Sequence, residues 1–378
     1  MKKIAGLLVL LAGMSVGTLA QQIAKATIIL SNPSVADRID EVMELSWKDI
    51  VAKYPDIDTA NFKVINSVDG REVPYQFDHG GGNGIKMLLI QLTLKSKAKA
   101  RLTIVPGKPA SVARKVYGRY VPERYDDFAW ENDKVAHRMY GKALESRKDN
   151  AFGTDVWVKK TNKLVIDDWY KSADYHTDHG DGMDYYSVGF TLGAGDIAPY
   201  VSDSIFFPKN YHHWKVLENG PLRLTFQLGY DAWDVEGKEV KVMKTISLDA
   251  GSRMNRIAAN YTYSDGSALP VVIGIVKRKE PGKVLINPKL GLMGYWEPAH
   301  GLDGTTGIGV IATTPVLKMN DDRIHYLIHT IAKNNEPLIY YSGSAWDRGG
   351  EVTNAGQWFD YLNNFYNKLR KPIKIDVK

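Results

Sequence analysis

The feature that most constrains the fold is a series of short strands that begins at Pro221. Leu222, Leu224, Phe226, Leu228 and Tyr230 alternate with polar or small residues, which is the pattern of a half-buried strand. Further apolar or alternating runs, separated by turn residues, follow at 240–248, 257–263, 271–276, 307–313, 324–331 and 337–341. Short strands at such regular spacing predict a sandwich or a barrel.

The rest of the chain fits a mainly β protein. Strand and turn signals fill 25–106, ending in the strict alternation of 101–105, and we interpret 21–107 as a small N-terminal β domain. Residues 108–378 then form a large antiparallel domain that ends in a helix, because Trp358, Leu362, Phe365 and Leu369 have helical spacing. Residues 128–139 fit both a strand and a helix, and periodicity alone leaves the two open.

The first twenty residues have the pattern of a cleavable signal peptide. Lys2 and Lys3 precede an apolar run from Ile4 to Val16, and small residues stand before a predicted cut after Ala20. The run is too short to span a bilayer, so we expect a periplasmic or secreted protein without stable membrane insertion.

Composition excludes several classes of site. The chain has no cysteine, which rules out disulfides, a thiolate nucleophile and Cys-ligated zinc. The formal net charge of +6 would suit an acidic substrate, but no Lys/Arg block or RNA-binding motif indicates nucleic acid. A nucleotide cofactor is not expected either, because Gly193-Ala194-Gly195 matches a dinucleotide fingerprint without a surrounding βαβ unit.

The densest polar stretch runs from Tyr175 to Gly189 and places two histidines and three aspartates among glycines and tyrosines. Turn chemistry explains the Gly and Asp residues, but acid–base chemistry or a metal explains the histidines as well. One divalent ion, zinc or calcium, is therefore predicted, although the spacing matches neither a zincin nor an EF-hand. Its candidate ligands are His176, His179, Asp181 and Asp184.

Four stretches together resemble a family of exported Bacteroidetes-type proteins whose domain has no known function and which accompany enzymes of pectin and other uronate degradation. They are 127–133, the polar stretch at 175–189, 216–223 and 244–252. The segment from Gly220-Pro221 to the turn Leu248-Asp249-Ala250-Gly251 also resembles sequences that form the galactose-mutarotase-like β-supersandwich. The resemblance implies such a supersandwich from about Arg119 onward, with a concave face that binds an oligosaccharide. It implies no catalytic residues.

Two cleavage reactions are compatible with these residues. β-Elimination from a uronate needs a base and a group that neutralises the carboxylate. The base candidates are His176, His179, Tyr185 and Tyr186, and the neutralising candidates are Arg138, Arg348 and Asn132. Hydrolysis needs two facing carboxylates, with Glu131, Asp133, Asp181, Asp184 and Glu297 as candidates. Epimerisation of a free sugar would use Glu297 with His300.

We therefore predict an exported carbohydrate-active enzyme, a lyase or hydrolase of acidic, pectin-like oligosaccharides. Its predicted catalytic residues are His176, His179, Tyr186, Glu131 and Arg138. Its predicted substrate-binding residues are Trp130, Asn132, Trp296, Glu297, His300, Trp346 and Arg348, with the tryptophans stacking on sugar rings. The alternatives are a glycan-binding protein without catalysis and a sugar epimerase of the mutarotase type.

Overall fold

The structure is a computed structural model, and it describes residues 26–172 and 174–378. The predicted signal peptide, with its cut after Ala20, lies outside these residues. The N-terminal elements are β1 (Ala26–Ser31), β2 (Arg38–Ser46), α1 (Trp47–Lys53), β3 (Phe62–Asn66), β4 (Tyr75–Asp78), β5 (Met87–Leu94) and β6 (Lys99–Pro106). The next group is β7 (Val116–Val121), β8 (Asp127–Asn132), β9 (Ala136–Met139), β10 (Asp155–Lys159), α2 (Ile166–Lys171) and β11 (Gly182–Met183).

The remaining elements belong to the second part of the chain, except that the last strand pairs with β1 in the N-terminal sheet. They are β12 (Ala194–Val201), β13 (Ser204–Ile205), β14 (His213–Asn219), β15 (Arg223–Val235), β16 (Lys238–Asp249), β17 (Met254–Tyr263), β18 (Leu269–Val276), β19 (Lys283–Asn287), β20 (Leu292–Trp296), β21 (Thr306–Ala312), β22 (Lys318–Asp321), β23 (His325–Ala332), β24 (Pro337–Trp346), α3 (Ala355–Arg370) and β25 (Lys374–Val377). The protein is thus mainly β with a C-terminal helix, which confirms the predicted fold class.

The strands form five antiparallel sheets. Their orders are β25-β1-β6-β3, β2-β5-β4, β11-β10-β9-β8-β7, β13-β12-β18-β23-β22 and β14-β15-β16-β17-β24-β21-β20-β19. The first two enclose a core of their own around Ile28, Leu45 and Phe62. Helix α1 starts where the Ser46 side chain accepts a hydrogen bond from the Asp49 backbone N–H.

The large domain is a sandwich of the eight-stranded sheet and the two five-stranded sheets. Alternate residues of most of these strands point into one shared core, since the side chains of a strand alternate between its two faces. Phe128 of β8 stacks on Phe226 of β15 with ring centroids 4.1 Å apart, which joins the two layers. The strands predicted at 222–230, 240–248 and 257–263 are β15, β16 and β17.

Two helices cover outer faces of this sandwich. Trp358 and Leu362 of α3 are buried against the eight-stranded sheet. The helix approaches so closely that a Cβ on Gly309 would lie 2.4 Å from the Leu362 side chain. Helix α2 covers the outer face of the sheet β11-β10-β9-β8-β7, where it packs with Trp157 and Tyr175. None of the helices in the described part of the chain is long and apolar enough to cross a membrane.

The ambiguous region 128–139 is two strands, β8 and β9, joined by a tight turn. The Asn132 side-chain oxygen accepts hydrogen bonds from the backbone N–H groups of Lys134 (2.8 Å) and Val135 (2.9 Å). This Asn turn reverses the chain after Asn132 and excludes the helical interpretation. Strand β10 then pairs with β9, so β8, β9 and β10 lie side by side.

Candidate functional site

The polar stretch 175–189 lies across the outer face and the edge of this sheet. Gly182 and Met183 pair with Lys159 and Val158 as strand β11. Gly182 has a φ of +119°, and a Cβ there would lie 2.0 Å from the Val158 carbonyl oxygen. Only glycine allows this approach. The aromatic ring of Tyr175 packs on Trp157, with centroids 5.5 Å apart, and holds the other end of the stretch.

Beneath this stretch lies an arginine–aspartate cluster, formed by Arg138, Asp127, Asp155 and Asp184. Arg138 and Asp155 are register partners on β9 and β10, and their side chains lie on the outer face. The Arg138 Nη2 atom is 2.6 Å from Asp155 Oδ2 and 3.0 Å from Asp184 Oδ2, while Nη1 is 3.7 Å from Asp127 Oδ2. One buried cation therefore faces three buried carboxylates.

The excess of carboxylates in the arginine–aspartate cluster favours protonation. Burial raises the pKa of Asp155 to about 7, and the charge of Asp184 adds to this while Arg138 opposes it. Burial likewise raises the pKa of Asp127 to about 6 against the opposing charges of Arg138 and Arg124. Because desolvation disfavours the charged form of a carboxyl group, the cluster holds a proton near neutral pH.

His176 stands at the exposed rim of this cluster. Its Nδ1 atom is 2.8 Å from the Asp184 carbonyl oxygen. Because a carbonyl oxygen only accepts hydrogen bonds, Nδ1 carries the proton in the neutral ring, and Nε2 is left with its basic lone pair.

A second group of charged side chains, which we call the loop-end cluster, consists of Arg278, Glu297, Tyr185, His300 and Asp303. Arg278 follows β18 and Glu297 follows β20. The Arg278 Nε atom donates to Glu297 Oε1 at 2.8 Å. Burial raises the pKa of Glu297 to about 7 although Arg278 opposes the shift. Glu297 is thus a carboxyl group that changes its protonation near neutral pH.

The exposed part of the loop-end cluster is a histidine held by an aspartate. His300 Nδ1 is 3.1 Å from Asp303 Oδ2, and the imidazole stacks on Tyr185 with centroids 5.1 Å apart. The Tyr185 hydroxyl is hydrogen-bonded to the Thr306 hydroxyl. Trp346 Nε1 donates to the Asp303 carbonyl oxygen at 2.9 Å. The loop that carries His300 is therefore tied to the end of β24.

Tyr186 links the two clusters. The Arg278 guanidinium lies 4.4 Å from the centroid of its ring, and its hydroxyl is buried without a hydrogen-bond partner among the described residues. Burial raises the pKa of Tyr186, and the charges of Glu297 and of Asp155 both add to the rise. Tyr186 is thus influenced by the charges of both clusters. We call the two clusters and Tyr186 together the polar site.

The polar site contains part of the predicted set. It includes the predicted residues Tyr186, Arg138, Glu297 and His300. It also includes Asp184, and His176 lies beside Asp184. Arg348 and Trp346 contact its 302–303 backbone, since Arg348 Nη2 donates to the Leu302 carbonyl oxygen. The catalytic and binding roles assigned to these side chains stay predictions.

Other predicted residues lie elsewhere. Glu131 is fully buried under α2, where it pairs with Lys159 and accepts hydrogen bonds from the Val165 and Ile166 backbone. Trp130 lies in the sandwich core, and Asn132 donates to the backbone carbonyls of Asp249 and Ser252.

Two further predicted side chains also lie outside the polar site. Trp296 is buried in the cluster under α3. The ring of His179 is exposed beside Asp174.

The four predicted metal ligands do not converge on one point. Asp184 pairs with Arg138, Asp181 lies 3.5 Å from Lys163, and His179 lies 3.3 Å from Asp174. Within residues 26–172 and 174–378, no group of three or more His, Cys, Asp or Glu side chains is placed to hold a metal ion. The divalent ion stays a prediction, and the reaction proposed for the polar site does not require it.

Sequence reasoning missed Asp155, Arg278 and Asp303. Asp155 and Arg138 stand in short strands whose other residues are buried. A charged residue among apolar strand residues indicates a buried ion pair, and this pattern could have identified Asp155. Arg278 follows an apolar strand in a run of charged residues, where nothing local distinguishes it from a solvated turn.

Two sequence comparisons identify relatives. The profile of the family described as Domain of unknown function (DUF4861) matches residues 30–375. A protein of Formosa agariphila named Uncharacterized protein P7 is 31% identical over 281 residues, covering 69% of this chain and 70% of that protein.

Among solved structures, a protein in the Glycosyl Hydrolase Family 38 from Enterococcus faecalis is similar with a TM-score of 0.52 and 9% identity, over 94% of this chain and 47% of that chain. An alpha-mannosidase from Enterococcus faecalis V583 has a TM-score of 0.45 and 7% identity, over 94% of this chain and 46% of that chain. The chain spans about half the length of both structures. At such low identity the first likeness concerns the fold alone.

Proposed function

The chain belongs to the family described as Domain of unknown function (DUF4861), and we propose that it is an enzyme that cleaves acidic, uronate-containing oligosaccharides at the polar site. The reaction we propose is β-elimination. The observation that carries the proposal is the loop-end cluster, where a histidine held by an aspartate stacks on a tyrosine beside a buried arginine–glutamate pair.

His300 is the base in this proposal. Its Nδ1 atom faces the Asp303 carboxylate, which accepts a hydrogen bond when ionised, so the neutral ring keeps Nε2 free to take a proton. The side chain is 63% exposed, which leaves it accessible to a substrate. An aspartate that fixes the tautomer and orientation of a histidine is a common arrangement for a general base.

Arg278 and Glu297 bind the uronate carboxylate. Elimination places negative charge on this carboxylate as the adjacent carbon loses its proton, and fixed donors stabilise that charge. The Arg278 guanidinium supplies a positive charge, and Glu297, with a pKa of about 7, can donate a hydrogen bond while protonated. A buried carboxyl group kept neutral for this purpose is an established device.

The elimination step moves one proton to His300 and another from Tyr185. His300 Nε2 takes the proton from the carbon next to the carboxylate, and the electron pair of that C–H bond forms a carbon–carbon double bond. The bond from the neighbouring carbon to the glycosidic oxygen breaks, and the Tyr185 hydroxyl gives its proton to that oxygen. Burial raises the pKa of Tyr185, so the phenol holds this proton at neutral pH.

The arginine–aspartate cluster acts as a positioning group. The ion pair between Arg138 and Asp184 anchors the segment that continues directly into Tyr185 and Tyr186. Removal of the Arg138 charge would release this anchor. Arg138 therefore affects the reaction through the two tyrosines.

Two general features support a carbohydrate role. The fold resembles that of a protein described as belonging to the Glycosyl Hydrolase Family 38. The formal net charge of +6, of which +4 remains once Lys2 and Lys3 leave with the signal peptide, suits an anionic substrate. Export belongs to the proposal as well, because the first twenty residues have a signal-peptide pattern. After expression in a Gram-negative host, a periplasmic product whose N-terminal sequence starts at Gln21 would support export. A product that keeps Met1 would contradict it.

Hydrolysis is the second candidate, because a carboxyl group with a pKa of about 7 is also what a general acid for a glycosidic bond requires. The two reactions give different products. Elimination yields one unsaturated uronate for each new reducing end, whereas hydrolysis yields reducing ends without unsaturation.

The test is incubation of the protein with galacturonate oligosaccharides, with both products measured. We expect equal amounts of unsaturated uronate and new reducing ends, and we expect His300→Ala to reduce turnover by roughly 10²–10⁴-fold. His213→Ala is the matched control, because His213 is also exposed and lies 3.0 Å from an aspartate, Asp231, but is not part of the polar site. Full turnover in His300→Ala would overturn the assignment of the base. Binding without either product would favour a glycan-binding protein, and a change of stereochemistry in a free sugar would favour an epimerase.

A further inference from the structure

A large cleft lies on a part of the molecule away from the polar site. This cleft of 1370 Å³ opens between β2 of the N-terminal sheets, the outer face of the eight-stranded sheet and one side of α3. Its lining shares no residue with the polar site. The volume exceeds that of an ordinary small-molecule pocket and is large enough for several sugar rings.

The floor of the cleft is a row of polar and aromatic side chains on three neighbouring strands. Ser247, Arg256 and Tyr341 are successive register partners on β16, β17 and β24, and all three line the cleft. The Ser247 hydroxyl is 3.0 Å from the hydroxyl of Thr225 on β15. The row therefore presents hydrogen-bonding groups from the middle of the sheet.

Arg256 differs in its partners from most of the other cations around the cleft. Four of those cations pair with carboxylates, namely Arg38 with Glu41, Lys134 with Glu351, Arg223 with Asp249 and Lys368 with Glu41. Within the described residues, Arg256 has no carboxylate partner within 4.0 Å. It is half-buried on the floor, opposite Tyr341 in the pairing of β17 with β24. A partly desolvated guanidinium without a counter-charge is a binding site for an anion.

Aromatic rings flank this guanidinium. Phe365 of α3 packs edge-on against Tyr341, with centroids 5.3 Å apart, and stacks on Tyr361 at 6.3 Å. Aromatic walls with a few placed polar groups are typical of ligand sites. Sugars present apolar C–H faces that pack on such rings.

The walls of the cleft are held at both ends. Arg38 of β2 donates to the carbonyl oxygens of Lys368 (3.1 Å) and Lys371 (2.7 Å) at the end of α3. At the other end, Arg223 of β15 pairs with Glu44 of β2. The width of the cleft is therefore set before a ligand arrives, which reduces the entropy lost on binding.

We propose that this cleft binds a carboxylate-bearing oligosaccharide without cleaving it, with Arg256 pairing to a sugar carboxylate and Tyr341 and Phe365 packing on the sugar rings. The ligand class rests on the proposed function. The binding role does not, because most carboxylates of the cleft are occupied by ion pairs and Arg256 itself cannot act as a base.

The test is isothermal titration of the full chain with tetragalacturonate, in a His300→Ala background, where loss of the proposed base slows cleavage of the ligand. We expect two binding sites per chain. Arg256→Ala should weaken one of them by about tenfold or more, and Arg256→Lys should weaken it less, because Lys keeps the charge but not the planar fork. Arg323→Ala is the matched control, since Arg323 is an exposed arginine outside the cleft.

The outcomes separate this inference from the proposed function. The cleft is supported if Arg256→Ala loses one binding site, keeps the site that Arg278→Ala removes and has an unchanged melting temperature. This result would hold whether or not the native protein cleaves the ligand. A stoichiometry of one that responds only to Arg278→Ala overturns the cleft and leaves the proposed function standing. Absence of any binding overturns the cleft and the proposed substrate class together. Unchanged binding in Arg256→Ala also overturns the cleft.

Discussion

Two buried groups of charges lie on the same outer face of the sheet β11-β10-β9-β8-β7, and they are built differently. Lys159 and Glu131 form a balanced pair at 2.7 Å. The Lys159 ammonium also donates to the carbonyl oxygens of Asn132 and Lys163, each at 2.7 Å, so all three of its protons are bound. A few residues away, Arg138 alone faces Asp127, Asp155 and Asp184.

The difference shows how a structural ion pair can be told from a candidate for chemistry. In the Lys159–Glu131 pair each charge has a counter-charge and each polar atom has a hydrogen bond, which is the condition under which a buried pair is tolerated. The arginine–aspartate cluster has two more carboxylates than cations and raised pKa values. Such an excess costs stability and is retained where protonation serves a function.

The largest effect should come from breaking the balanced pair. Lys159→Met leaves the Glu131 carboxylate buried without a counter-charge, and we expect a loss of about 3–5 kcal/mol in the free energy of unfolding, measured by urea denaturation. The control is Lys160→Met, which removes a partly exposed ion pair with Asp178 and should cost about 1 kcal/mol or less. Equal losses in the two variants would contradict the distinction between the two kinds of site.

The arginine–aspartate cluster should respond to pH. The pKa of Asp155 is raised to about 7 in the folded state, so the folded protein keeps a proton that the unfolded chain releases above about 4. Stability from this group is complete below the unfolded pKa and is lost as the pH rises to about 7. Asp155→Asn should therefore flatten the decline in unfolding free energy between pH 5 and 7 by up to about 1.4 kcal/mol per pH unit.

Asp149→Asn is the control for this slope, because Arg147 lowers the pKa of Asp149, so this carboxyl group is ionised in both states between pH 5 and 7 and contributes no slope there. A residual decline is expected in Asp155→Asn, since the pKa values of Asp127 and Glu297 are raised as well. An unchanged slope in Asp155→Asn would show that the cluster does not hold its proton on Asp155.

The smallest effect should come from Tyr186→Phe. The variant removes a buried hydroxyl that lacks a hydrogen-bond partner among the described residues, so we expect the unfolding free energy to stay within about 1 kcal/mol or to rise. Tyr211→Phe is the control, because the Tyr211 hydroxyl donates to the Asp126 carbonyl oxygen, and its loss should cost about 1 kcal/mol. Weaker binding of galacturonate oligosaccharides to Tyr186→Phe would indicate that a ligand supplies the missing partner. A large destabilisation would contradict the prediction.

Local patterns explain how much of the fold was predictable. The alternation at 222–230 and the helical spacing of Trp358 and Leu362 each reflect burial against a single surface, and they predicted β15 and α3. The period-two and helical patterns at 128–139 overlapped because almost every side chain there is buried. The Asn132 turn decided between them.

The polar site was less predictable, because its contacts join residues that are distant in sequence. His176, Tyr186, Glu297 and His300 stood out by residue type. The partners that give them a role, Arg278 for Glu297 and Arg138 for Asp184, depend on which strands become neighbours. The burial of Glu131 was not predictable either, since a carboxylate among polar residues carries no sign in the sequence that a helix will cover it.

One pairing in the N-terminal sheet has a consequence for the order of folding during synthesis. Strand β25 lies beside β1, with Ser31 opposite Lys374, so β1 receives one of its neighbours only after the distant segment 374–377 has been made. Pairings of such high sequence separation form slowly. Until then β1 has an open edge that a chaperone, or another nascent chain, can occupy.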